Sequence, residues 1–406
     1  MRGFRVRGAV LVASMVPVAL ALQVSRRALV RGASALAGVG ALALEPQRAH
    51  AATEIKGVLY DTHSGVAMPA SPEALGSLVE NAVLGTWQRT RGVLCVAERH
   101  DSFDHHVAQL RSIKALARSL RRRDEGARVA VGLEAFQRQH QTYLDRFVAA
   151  RPDAGGAYDY DFEDLLQDVS WDSTWGYDPY LYLPILDHAR KHNARLVGLS
   201  PPPELLAEVE RRGLEAVYSD PACSKFMPDG GVDDALGGAA RRKRTLEGMG
   251  SKTDCTDARV LEIQNLRDEY MSESAAMHYE TAQRHDHSNE QRDGWLVVLA
   301  GSRHVAHRDG LPIRIARRVA AKTNAPGRSD AVYRGVHTII PEVLDFPVQA
   351  RNFPSADYGD YVWFMPRRTD FNPAVVNNAP RPPPPPPTPG AKGAPFAHPG
   401  LQRGTL

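Results

Sequence analysis

Four short apolar runs punctuate the chain, and each stops abruptly at polar side chains. Val93–Val96 leads to Glu98, Arg99 and His100, and Arg128–Leu133 leads to Glu134. Arg195–Leu199 leads to Ser200 and then prolines, and Trp295–Ala300 leads to Gly301, Ser302, Arg303 and His304. Apolar runs of this length, rich in β-branched residues, predict strands buried on both faces. Between them the spacing turns helical. Asp101 or Ser102 is placed to cap a helix whose Val107, Leu110, Ile113 and Ala117 form an apolar stripe. Further helical stretches run through Gln141, Tyr143, Leu144 and Phe147, through Leu183–His188, and from about Asp257 to Arg284. This alternation predicts an α/β fold, a mainly parallel sheet with helices on both faces. In such sheets ligands sit at the carboxyl ends of the strands. The expected site is therefore the rim that carries Glu98, His100, Glu134, Ser200 and His304.

The flanking pattern is weaker. Gly57–Asp61 reads as an edge strand or lead-in, Ser71-Pro72 as a helix start, and Val336–Ile340 as a last strand. Gly310-Leu-Pro-Ile opens a helix over Ile313–Lys322. Residues 220–257 repeat glycine and contain the basic run Arg241–Arg244, so they read as an irregular, exposed insertion. The pattern fades near Arg351, and residues 351–406, with Pro382–Pro387, read as a Pro-rich low-complexity tail.

At 406 residues, 43% hydrophobic and 24% charged, the chain can bury a sizeable core in one large domain or two. The formal charge of +3 is small, and no basic stripe interleaved with aromatics marks a nucleic-acid partner. Three cysteines exclude a disulfide scaffold. Cys95, inside the first strand, reads as a small hydrophobe, and spacing alone does not pair Cys223 with Cys255.

Residues 1–52 differ from the rest. No Asp or Glu precedes Glu45, and two apolar segments, Ala9–Leu22 and Ala33–Leu44, flank Arg26-Arg27. Ala49-His50-Ala51 follows as a small-x-small cleavage pattern. This resembles a twin-arginine export signal cleaved after Ala51, preceded by a second acid-free segment as in bipartite signals to the thylakoid lumen of a plastid. The alternative is a bacterial export signal to the periplasm. Both apolar segments fall short of the roughly 20 residues that span a bilayer, so the mature chain, with its domain over 53–350, is expected to lack a transmembrane span.

Glu98, His100, Glu134 and His304 bring two carboxylates and two imidazoles to one expected rim. Such a set could hold a divalent metal or a haem iron, or perform acid–base chemistry. Carboxylates buried there would need cations, metal or donors to offset their desolvation. His105 and His106 lie in the next helical turn, where adjacent side chains diverge, so at most one faces the crevice; His106 is the better placed. The stretch Tyr158–Tyr182 holds Trp171, Trp175, Tyr177, Tyr180 and Tyr182. It could cover a flat macrocycle and supply Tyr177, Tyr180 or Tyr182 as an oxygen ligand to ferric iron, or simply pack as core or lid. His285 and His287 read as a solvated turn. No Gly-x-Ser-x-Gly elbow, P-loop, dinucleotide fingerprint or His-Glu-x-x-His occurs.

The segments AERHDSFDHHVAQL, VGLEAFQRQHQTYLDRF, WDSTWGYDPYLYLPILDHARKHNARLVGLSPPPELLAEVERRGL, LRDEYMSESA and VVLAGSRHVAHRDGLP follow in order between about residues 55 and 345. In that order they resemble the ChaN-like haem-binding uptake family of the Tiki/TraB superfamily. By position, His100 and His304 match the family's two motif histidines, and Glu98 and Glu134 its acidic positions. Gln141, Tyr180 and Asp268 fall at further family-like positions, while Ala97 stands where the first motif has Gly. The resemblance implies a protein that binds haem, a related tetrapyrrole or iron, through His100, His304, Glu98, Glu134, Tyr180 and His106, in a form that includes a homodimer. Its superfamily equally implies a metal-dependent hydrolase or peptidase, with a divalent metal ion on Glu98, His100, Glu134 and His304. A third reading is a scaffold whose Pro-rich tail docks a partner.

Overall fold

The computed structural model describes residues 57–80, 92–123, 127–236, 238–249, 257–284, 292–322, 335–344 and 353–366. The first hairpin is Val58–Asp61 (β1) and Val66–Pro69 (β2), followed by Pro72–Leu78 (α1) with Ser71 as its N-cap. Gly92–Glu98 (β3), Phe103–Arg123 (α2), Ala127–Gln137 (β4) and Gln141–Ala149 (α3) come next. Phe162–Asp168 (α4), Trp171–Thr174 (α5), Leu183–Lys191 (α6) and Leu196–Ser200 (β5) complete the first half. Pro203–Arg212 (α7), Leu214–Ser219 (α8), Pro221–Ser224 (α9), Gly238–Met249 (α10) and Asp257–Arg284 (α11) lead to Arg292–Gly301 (β6). Ser302–Val305 (α12), Leu311–Lys322 (α13), Val336–Leu344 (β7) and Tyr361–Pro366 (β8) close the order.

Among the described residues the strands form a mixed sheet of eight, ordered β2-β1-β8-β7-β3-β6-β4-β5. The run from β8 to β5 is parallel throughout, while β1 pairs antiparallel with both β8 and β2. The expected mainly parallel α/β sheet is thus observed, with an antiparallel margin. Alternation along each strand divides the core. Leu94, Val96, Val131 and Leu133 pack on one face with Ile113 and Leu116 of α2 and Ile185 and Leu186 of α6. Val93, Cys95, Ala97 and Ala130 pack on the other with Met271 and Ala275 of α11 and Leu311 and Ile315 of α13. Every residue of β3 is buried, which is why it reads as an unbroken apolar run.

Three sequence expectations change. Gly57–Asp61 does not provide the outermost strand; β2 lies outside it. The 220–257 segment is not irregular throughout, because it contains α9 and α10, and Arg241 of its basic run is only 5% exposed. The folded domain does not stop near residue 350 either. Tyr361–Pro366 forms β8, inserted between β1 and β7, with Val362 and Met365 fully buried. The local pattern there is a lone apolar run after a loop, and its two strand partners come from distant parts of the chain. The export segment 1–52, His285, His287, Cys255 and the proline run fall outside the described residues.

Candidate functional site

The centre of the sheet sets the site. β3, β6 and β4 are neighbours, and the pairing places Glu98 opposite Gly301 and Leu133 opposite Leu299. Beyond Leu133 the β4–β5 register slips, so that Leu133 pairs with Gly198 and Gln137 with Ser200. Such a bulge bends a strand and re-aims its side chains, and Glu134 is the first residue in it. Gly198 lets Gln137 return to the ladder, since a Cβ there would lie 2.2 Å from the Gln137 carbonyl oxygen.

Glu98 is buried and its acceptors are filled. Oε1 accepts from His100 Nδ1 at 2.8 Å and from the Tyr182 hydroxyl at 2.7 Å, and Oε2 accepts from the Gln109 amide at 2.6 Å. Burial alone would raise its pKa, but the imidazoles of His106 and His100 and the Gln109 donor lower it. His106 donates from Nε2 to the His100 carbonyl at 3.1 Å and from Nδ1 to Gln109 Oε1 at 3.1 Å. The amide nitrogen of Gln109 faces Glu98, so its oxygen is the acceptor. His105 turns elsewhere: its Nδ1 accepts the Arg99 N–H at 2.9 Å, and burial with the nearby charges of His106 and Arg99 takes its pKa down to about 4. Of the adjacent pair, one ring joins the Glu98 cluster and the other holds the strand-end loop.

The second cluster surrounds His304. Its Nδ1 donates to Asp268 Oδ1 from α11, and its Nε2 lies 3.3 Å from Glu134 Oε1. Burial disfavours the charged ring, yet the charges of Glu134 and Asp268 win and raise its pKa to about 9. His304 is therefore an imidazolium held between two carboxylates. Glu134 is buried, but the charge of His304 and the Gly301 N–H, which donates to Oε2 at 2.7 Å, keep it ionised well below the usual carboxylate range. Asp268 is lowered too, by Arg241 and His304 against burial, and its Oδ2 accepts from Arg241 of α10. Gly310 makes room for that guanidinium, because a Cβ there would lie 2.5 Å from Arg241 Nη1. His307 (φ 64°) and Arg308 (φ 58°) follow in left-handed conformation, a strain that tends to collect at functional sites.

Gly301 joins the two clusters. Its N–H holds Glu134, and a Cβ on it would come within 3.0 Å of His100 Cε1. The adjacent Ser302 hydroxyl donates to the Glu98 carbonyl at 3.1 Å. Glu98, His100, Glu134 and His304 therefore meet at one rim, with His106 beneath it. His100 alone of the rim imidazoles keeps an open side, with its side chain 23% exposed. Burial lowers its pKa, but the Glu98 hydrogen bond and the charge of Glu134 raise it overall. Its ring sits 4.7 Å from that of Trp175 and 4.9 Å from that of Tyr177, which is 40% exposed.

Tyr180 does not join the rim. It is 54% exposed, donates to Glu163 at 2.9 Å and packs on Phe162. The tyrosine that reaches Glu98 is Tyr182, whose hydroxyl also accepts from Trp175 at 3.1 Å. Gln141 is structural: its amide donates to the Leu196 carbonyl at 2.7 Å and accepts the Gly198 N–H at 3.2 Å, replacing a strand beyond edge β5. Gln109 and Arg241 do not stand out in the sequence. The spacing of Gln109 from His105 and His106 along α2 holds a usable signal; nothing near Arg241 does. Among the described residues no group of three or more His, Cys, Asp or Glu is gathered to hold a metal ion.

The family model described as haem-binding uptake, Tiki superfamily, ChaN, matches residues 87–315, more than half of the chain. The chain belongs to this family. Among solved structures, it is similar to ChaN of Campylobacter jejuni, described as showing cofacial heme binding. The identity is 15%, the match covers 76% of this chain and 97% of that one, and the TM-score is 0.46. It is also similar to an erythromycin esterase, EreC, in an open conformation, at 15% identity, 76% and 82% coverage and a TM-score of 0.33. The type III effector HopBA1 matches at 9% identity, 73% and 93% coverage and a TM-score of 0.35. A search of curated proteins finds no match. Within this haem-binding uptake family, the rim clusters lie inside the matched region. Among the described residues no helix is long and apolar enough to cross a membrane.

Proposed function

We propose that this ChaN-family chain binds ferric haem at the strand-end rim, with His100 presented to the iron and Trp175 and Tyr177 against the macrocycle. One observation carries the reading: His100 Nδ1 is tied to a buried carboxylate at 2.8 Å while its ring keeps an exposed side. Ligating histidines are oriented and made more basic by such a carboxylate. His304 does not fit a ligand role, because both of its ring nitrogens face carboxylates. The donor set suits haem iron, which supplies the redox and ligand chemistry when bound; the protein supplies an oriented imidazole and an aromatic wall. The hydrolase alternative is favoured less, since the oxygens of Glu98 are already occupied by His100, Tyr182 and Gln109.

Haemin titrated into the full-length protein is expected to give a sharp Soret band. His100→Ala is expected to shift that band. Glu98→Gln keeps its position but weakens affinity about 10–100-fold, as for outer partners of metal ligands. Tyr180→Phe is expected to match the wild type. Affinity should fall with acidification, because a proton competes with iron for a ring whose pKa is raised. A weak, broad spectrum for the wild type would defeat the haem reading. An unchanged His100→Ala spectrum would move the site away from this histidine.

Export belongs to the same proposal, with a plastid thylakoid lumen as the destination. Its support is Arg26-Arg27, the apolar run Ala33–Leu44 and Ala49-His50-Ala51. Sequencing the mature amino terminus is expected to find Ala52 within a few residues; Met1 would refute it.

A further inference from the structure

At the end of the sheet opposite the rim, α2, the start of β4 and the end of α6 enclose a cavity of about 140 Å³. Its floor includes buried Ile113 and Val129, and its walls carry Arg121, Arg128, His188 and His192. Arg128 Nη1 is fixed there by donating to the carbonyls of His192 and Asn193 at 3.2 and 3.3 Å. Arg121 has no carboxylate partner among the described residues. The two imidazoles pack on each other, centroids 4.3 Å apart, without a hydrogen bond from either ring to a described residue. Among the described residues no carboxylate lines the cavity. Asp187 is the nearest on α6, and it pairs with Lys191 at 2.7 Å.

A concave group of cations and polar N–H groups without a counter-charge is a site of positive potential. The histidines report it. Burial, then His192, Lys114 and Arg121, take the His188 pKa down to about 4, with Asp187 opposing. Burial, Arg121, Lys114 and Lys191 lower that of His192. Two imidazoles four residues apart on a helix could instead hold a transition metal, but the surrounding guanidinium and ammonium charges repel a dication and attract an oxyanion. Arginine suits a phosphate group in particular, since its planar fork matches two oxygens.

We propose that this cavity is an anion site that takes a phosphate group, free or as a monoester, through Arg121, Arg128, His188 and His192. The site is separate from the rim and does not depend on haem binding. The test titrates inorganic phosphate and phenyl phosphate into the full-length protein at constant ionic strength, following the ring C–H resonances of His188 and His192 by NMR. Both probes are expected to give saturable shifts and to raise the apparent pKa of His188, because a bound anion favours the charged ring. Arg121→Gln, a change at an exposed side chain, is expected to weaken binding about 10-fold, the worth of one charge-assisted hydrogen bond. Tighter binding of phenyl phosphate would identify a monoester; equal binding would identify free phosphate. The proposal is overturned if neither probe saturates, if Arg121→Gln responds like the wild type, or if Ni²⁺ binds saturably while phosphate does not.

Discussion

Asp268→Ala is expected to lower the unfolding free energy by about 3–5 kcal/mol, the loss typical when one member of a buried ion cluster is removed. Asp268 is fully buried, bonded through one oxygen to His304 and through the other to Arg241, with Arg314 at 4.0 Å. His304 can relieve its loss by releasing a proton. Arg241 cannot, since a guanidinium stays charged inside a protein. Most of the loss should therefore trace to the stranded arginine, and Asp268→Ala with Arg241→Met should recover much of it. Denaturant unfolding of the two variants checks this. A single-variant loss below about 1 kcal/mol would place the cluster among solvent-screened ion pairs. The pH dependence has a definite sign. His304 has its pKa raised from 6.5 to about 9, so its contribution is complete below about pH 6.5 and is lost as pH rises through about 9. Asp268 and Glu134 are lowered, so theirs is present above the ordinary carboxylate range and is lost on acidification.

A chain ending at residue 352 is expected to lose cooperative folding altogether. It lacks β8, whose residues Tyr361, Val362, Trp363, Phe364 and Met365 are all buried. At about 1.5–3 kcal/mol for each large apolar side chain, their burial is comparable with the whole stability of a domain, about 5–15 kcal/mol. The loss also detaches the β1–β2 hairpin, which meets the sheet through β8. Ending the chain at residue 379 is the control. It removes only the proline run and the residues after it, a segment with little apolar surface, and the melting temperature should match the full-length protein. Circular dichroism melts decide it. A wild-type transition in the shorter chain would show that β8 is dispensable.

The four central strands are legible because a parallel strand buried on both faces leaves a continuous apolar run, and such runs end where the chain meets water. The same rule assigns Glu98, His100, Glu134 and His304 to one rim from the sequence. It cannot rank them. His100 and His304 follow similar strand ends, yet Asp268, 36 positions away, converts one into a locked imidazolium while the other keeps an open side. Tyr180 and Tyr182 are two residues apart beside a short 3₁₀ turn, where consecutive side chains point in different directions. Sequence spacing does not say which one turns toward Glu98.

By itself the sequence determined the α/β class, the central strands, the helix that follows His100 and the family, because these rest on local periodicity and ordered motifs. Tertiary structure alone decided three things. It made Arg241–Arg244 more than a solvated basic run, since only Asp268 and Asp309 offset the desolvation of buried guanidinium. It recruited Tyr361–Pro366 into the sheet, because a lone apolar run becomes a strand only when partners on both sides satisfy its backbone. It also set the charge of each rim histidine, because that charge is fixed by carboxylates which meet the ring only after the distant segments have packed.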